Sequence, residues 1–179
     1  MKALIRDIVT TAITAFVIFF LLQSTIQTSI VVGSSMEPTV YPQERLIVNK
    51  AAYVFGKPAR GDIIVFHPPA SLQLDYIKRV IALPGDTVEV KDGVVYVNGE
   101  RLDEPYIKDA PNYTLHVRAV SEDNYFVLGD NRNNSNDSHT GWTIPSQSII
   151  GKAWLRIWPL HNWGIISNTP ADDQMAYSY

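Results

Sequence analysis

The stretch Tyr76–Leu102, YIKRVIALPGDTVEVKDGVVYVNGERL, decides the fold class. Thr87–Lys91 alternates between apolar and polar residues, as a strand with one buried face does. Asp92-Gly93 and Asn98-Gly99 are the dipeptides that close two-residue hairpins, because both positions accept a positive φ. Val94–Val97 between them is long enough for one strand, so a tight antiparallel meander is predicted here. The same punctuation recurs on either side, as runs of β-formers broken by turn residues: RLIVN, GDIIVFHPP, YFVLGDN and IGKAWLRIWP. No stretch after Gly33 has the periodicity of a long amphipathic helix. PPASLQLD and EPYIKDAPNYT read as loops, and residues 167–179 as a flexible tail. The expected fold is mainly β, an antiparallel domain over residues 31–166.

What precedes that domain is different. From Ile8 to Met36 there is no Lys, Arg, His, Asp or Glu. A bilayer takes roughly 20 residues of helix, and apolar residues here run all the way round rather than along one stripe. Lys2 and Arg6 lie before the run, as in the n-region of a cleaved signal peptide, but no clean A-x-A site follows it. The reading is an uncleaved anchor over residues 8–30. Residues 1–7 are then cytoplasmic and the β domain lies on the outer face.

Composition narrows the chemistry. The chain has 179 residues, 46% hydrophobic and 18% charged, and a formal net charge of −3. That is a folded chain without the basic field that nucleic acid requires, so nucleic acid is not an expected partner. Cysteine is absent, which excludes thiolate zinc sites and disulfides. His67, His116, His139 and His161 are isolated and fit no metal template, and no metal or cofactor is expected. GDNRNNSNDSH is rich in oxygen ligands, but it places Arg132 inside and lacks the turn glycine of a calcium loop. There is no G-x-S-x-G elbow for a Ser-His-Asp triad.

A serine without a histidine partner needs another base. Lysine serves if burial strips water from it, because desolvation disfavours the ammonium. Lys78 is the candidate, sharing a strand face with Tyr76 and Val80. The pattern alone leaves open a surface lysine on an edge strand.

Four segments in order, GSSMEPT, RGDIIVFHPP, YIKRVIALPGD with VNG downstream, and GDNRNNSNDSHTGW, resemble the bacterial type I signal peptidases, from the anchor to about Trp158. The resemblance implies a β fold of antiparallel sheets and a Ser/Lys dyad, with Ser35 as nucleophile and Lys78 as general base. It also implies that Ser135 orients the lysine and that Asp130 and Asp137 hold the loop through ion pairs, Arg79 being a partner for Asp130. Val31, Met36, Tyr76 and Ile77 match positions lining shallow pockets for small residues, the A-x-A rule seen from the enzyme. Gly33 stands where some members carry a serine that assists the oxyanion, and His139 where many carry an arginine. The implied partners are signal peptides of exported preproteins, the lipid bilayer of a bacterial cell membrane, and a nearby export translocon. Rival functions are another Ser/Lys processing peptidase, such as a self-cleaving repressor, and a membrane-tethered binding domain that has lost activity. Trp142, Trp154, Trp158 and Trp163 read either as headgroup anchors or as core residues.

Overall fold

The computed structural model describes residues 2–54, 56–69 and 74–166; the expected tail at 167–179 and part of the loop at 68–75 lie outside them. Helix α1 spans Lys2–Thr25. It is long and apolar enough to cross a membrane and packs against nothing along its most apolar part. The expected anchor ran to residue 30, but the helix stops five residues earlier. Ile26–Ile30 forms strand β1, paired antiparallel with β2 (Arg45–Asn49) in register from Ile26 opposite Asn49 to Ile30 opposite Arg45. IQTSI joins β-branched ends to short polar residues, which favour a strand once a partner satisfies the backbone.

The other strands are β3 (Ile63–Phe66), β4 (Tyr76–Ala82), β5 (Thr87–Lys91), β6 (Val94–Val97), β7 (Glu100–Arg101), β8 (Leu115–Ala119), β9 (Asn124–Leu128), β10 (Ile144–Pro145), β11 (Ile149–Trp158) and β12 (Gly164–Ile165). The main sheet runs β1-β2-β11-β3-β4-β9-β10 with β12 beside β11, and a smaller sheet runs β7-β6-β5-β8. Every pairing is antiparallel. The two hairpin dipeptides make the turns expected of them, with Asp92 at φ 52° and Asn98 at φ 55°.

Core residues lie on both faces of the main sheet. From β3, Ile63 and Val65 join Val31, Met36, Val40, Leu46 and Val48 on one side, while Ile64 and Phe66 join Val80, Tyr125, Val127 and Ile144 on the other. A third cluster packs Val88, Val90, Val95 and Val97 of the small sheet against Ile81, Phe126 and Leu128. Strand β4 therefore has neighbours on each edge, β3 and β9, and apolar packing on each side. A lysine in this strand is screened from water by its neighbours on most sides.

Candidate active site

Lys78 lies mid-way along β4, opposite Ile64 of β3, and is 4% exposed. The edge-strand alternative left open by the sequence is thereby removed. Its Nζ lies 2.7 Å from Ser35 Oγ and 2.9 Å from the Ile77 carbonyl oxygen. Burial pushes the amine down to about 8, against a smaller upward pull from the carboxylates of Asp137 and Asp130.

Ser35 lies in the turn that follows β1. Before it, Gly33 has φ 87°, a conformation that glycine adopts without strain. The turn is tied to the loop after β9. Asn131 donates its backbone N–H to the Ser35 carbonyl at 3.0 Å and its side-chain amide to the Ser34 carbonyl at 3.1 Å. Asn134 donates to Ser34 Oγ at 2.9 Å. Ser34 is thus engaged as a fastening, while Ser35 Oγ faces the lysine.

The loop is itself fixed by charge. Arg79 meets Asp130 through two hydrogen bonds of 2.8 and 2.6 Å, both side chains fully buried, and Thr39 donates to the same carboxylate. A paired guanidinium and carboxylate satisfy each other where either alone would be costly. Asp137 pairs with His139 Nδ1 at 2.6 Å and accepts the Gly129 N–H at 2.9 Å. Arg132 is buried against both Glu104 oxygens and also donates to the Gly129 carbonyl. Gly129 has no room for a side chain: a Cβ there would stand closer to Ser135 Oγ and the Ser35 carbonyl than real Cβ atoms approach.

The expected residues do not all take their expected places. Ser135 Oγ is buried beside Gly129 but makes no hydrogen bond among the described residues, so the amine is oriented by Ser35 and the Ile77 carbonyl. A cleft of about 600 Å³ opens over Ser35 and Lys78, and its lining includes Val31, Tyr76 and Ile77, together with Gly33, Ile30 and Leu74. Met36 is not in its wall; it is 1% exposed, in the core beneath. Glu104, Asn131, Asn134 and Gly129 escaped the sequence reading because each works through tertiary partners, although the glycine before Asp130 was visible in GDNR.

Similarity to known proteins agrees with this geometry. The family model "Signal peptidase, peptidase S26" matches residues 4–158. Probable signal peptidase I-1 of Synechocystis sp. is 50% identical over 74% of this chain and 71% of its own length. Signal peptidase I of Leptolyngbya laminosa is 47% identical over 78% and 72%. Signal peptidase IB of Staphylococcus aureus is 38% identical over 88% of this chain and 91% of its own. A crystal structure of a signal peptidase I from Enterococcus faecalis V583 aligns with a TM-score of 0.45 at 37% identity, over 54% of this chain and 96% of that one. With the family model spanning the domain and relatives matched along most of their length, the chain belongs to the signal peptidase family S26 and is a serine peptidase of the signal peptidase I class.

Proposed function

We propose that this peptidase removes signal peptides by a Ser35/Lys78 dyad, cutting after small-x-small sequences. The observation that carries the reading is the 2.7 Å approach of Lys78 Nζ to Ser35 Oγ at a buried position where the amine loses its proton at about pH 8. Neutral Lys78 takes the Ser35 proton as the oxygen attacks the scissile carbonyl. The resulting ammonium then protonates the leaving amine, and an ester to Ser35 remains. Lys78, neutral again, takes a proton from a water as that water attacks the ester, then returns the proton to the departing Ser35 oxygen, which regenerates the hydroxyl and the neutral amine. The Ser35 N–H supplies one donor for the oxyanion; Gly33 offers no side chain for a second. Val31, Tyr76 and Ile77 line the cleft, and the preference for alanine over larger side chains is assigned to the pockets they form.

We further read α1 as an uncleaved single span with Lys2 and Arg6 on the cytoplasmic side. The exposed Trp154, Trp158 and Trp163 beside Leu160 and Ile165 favour contact of the outer domain with the headgroup layer. Trp142 packs on Phe66 instead, with ring centroids 6.2 Å apart. Detergent-solubilised enzyme incubated with a preprotein should release one product, whose new N-terminus is located by mass spectrometry. Cleavage by Ser35→Ala at the wild-type rate refutes the dyad. For topology, external protease should digest the domain on spheroplasts; protection until lysis refutes the orientation.

A further inference from the structure

Residues 102–114, which join β7 to β8, form no helix or strand. Their side chains do not serve only the small sheet. Both carboxylate oxygens of Glu104 hold the buried Arg132, one at 2.7 Å. The Tyr106 hydroxyl donates to Glu104 at 2.8 Å, and its ring faces the Arg79 guanidinium at 3.8 Å, over the ion pair with Asp130. The Ala110 carbonyl accepts from the Asn133 side chain at 3.0 Å, and the Asn112 N–H donates to the Asn133 side-chain oxygen at 2.8 Å. Tyr113 stacks on His139 at 4.2 Å with the rings 18° apart. These contacts converge on the loop that carries Asp130, Asn131, Asn134 and Ser135.

Two of these lines reach Gly129, two residues before the Asn131 that holds the nucleophile's carbonyl. Arg132 holds the Gly129 carbonyl; His139 holds Asp137, which holds the Gly129 N–H. Both backbone groups of Gly129 are thus fixed from the connection, and two residues later Asn131 grips the Ser35 carbonyl. A buried ion pair such as Glu104–Arg132 adds little net stability compared with apolar packing of the same volume, but it fixes one geometry. We propose that residues 102–114 act as a positioning strap: through Arg132, the Arg79–Asp130 pair and His139, Glu104, Tyr106 and Tyr113 hold the loop that sets Ser35 against Lys78. The proposal rests on the dyad reading and adds residues outside it.

The test uses the full chain in detergent, with a preprotein substrate and the variants Tyr113→Leu and Glu104→Gln. A loosened loop misplaces Ser35, so kcat should fall roughly tenfold to a hundredfold. KM should change less than kcat, because most of the cleft wall, Val31, Tyr76 and Ile77 among it, lies outside the loop, and only Asn134 and Asn136 of the wall lie in it. The acid limb of kcat/KM should move to higher pH, as water reaches Lys78 while the Asp130 and Asp137 carboxylates that face it remain. Val117→Ser, on the exposed face of β8, should leave all three unchanged. If Glu104→Gln fails to fold, Tyr113→Leu decides alone, since it leaves no buried charge unpaired. Wild-type kcat and pH profile in a Tyr113→Leu protein of lowered thermal midpoint would overturn the proposal, leaving only a structural role. Ser35→Ala run in parallel separates the two readings: activity there sinks the dyad, whereas a dead Ser35→Ala beside a fully active Tyr113→Leu sinks the strap alone.

Discussion

Replacing Lys78 by Met should abolish cleavage and, at neutral pH, stabilise the fold. In the unfolded chain the amine is protonated below 10.5, and in the folded one only below about 8. Below pH 8 the native state therefore carries a buried ammonium, and the full penalty applies. Between pH 8 and 10.5 the native amine is neutral while the unfolded one still binds a proton, so the penalty fades; above 10.5 it is gone. At about 1.4 kcal/mol per pH unit the interval corresponds to about 3 kcal/mol. Methionine also forfeits the two hydrogen bonds to Ser35 and Ile77, at about 1 kcal/mol each. The net gain near pH 6.5 is then about 1–2 kcal/mol, or roughly 2–8 °C for a chain of this size. Near pH 10 the sign should reverse, because the penalty left there, under about 1 kcal/mol, is smaller than the loss of the two hydrogen bonds. Thermal unfolding followed by tryptophan fluorescence at pH 6.5, 8 and 10, wild type against variant, reads the difference directly. A difference in midpoint that is constant across that range would refute the buried, proton-poor lysine, and with it the base.

Gly129→Ala should cut kcat about a hundredfold or more, because its Cβ must displace the Ser35 carbonyl or Ser135; single-turnover cleavage checks it. Asp130→Asn should lower stability by about 3–5 kcal/mol by leaving Arg79 buried without its counter-charge, measured by denaturant unfolding. His139→Arg should keep cleavage within about threefold, since a guanidinium can both pair with Asp137 and stack on Tyr113. Loss of all activity in a folded His139→Arg protein would give the histidine a chemical role. Ser34→Ala should lose only the fastening to Asn134 and slow preprotein cleavage less than about tenfold.

The meander from Thr87 to Arg101 was legible because turn chemistry and alternation are local and agree with each other. Lys78 was half legible: its strand could be read, but its burial depends on β3 and β9 flanking β4 and on packing from both faces. Besides the two-residue strands β10 and β12, two longer strands escaped for different reasons. Ile26–Ile30 continues an apolar run without a break, so only its pairing with Arg45–Asn49 marks it as sheet. Leu115–Ala119 has a weak pattern, LHVRA, with exposed His116 and Val117 side by side and a half-buried Arg118, so it shows no clean alternation. The fastening residues around Gly129 were illegible in principle, since Glu104 and Arg132 are 28 positions apart and nothing in either segment names the other.

The direct run of α1 into β1 has a mechanical consequence. Thr25 ends the helix and Ile26 begins a strand whose backbone is bonded along its length to β2, so no linker intervenes. The same chain proceeds through Ile30, Val31 and Gly33 in the cleft wall to Ser35. A joint of this kind transmits torque. Tilting the helix, as a thinner or thicker bilayer would demand, must twist the sheet edge with it rather than be absorbed by slack. With α1 seated in a bilayer as proposed, the helix would be a lever arm whose short end is one side of the cleft, and cleavage rate should then vary with the acyl-chain length of the vesicle that holds it.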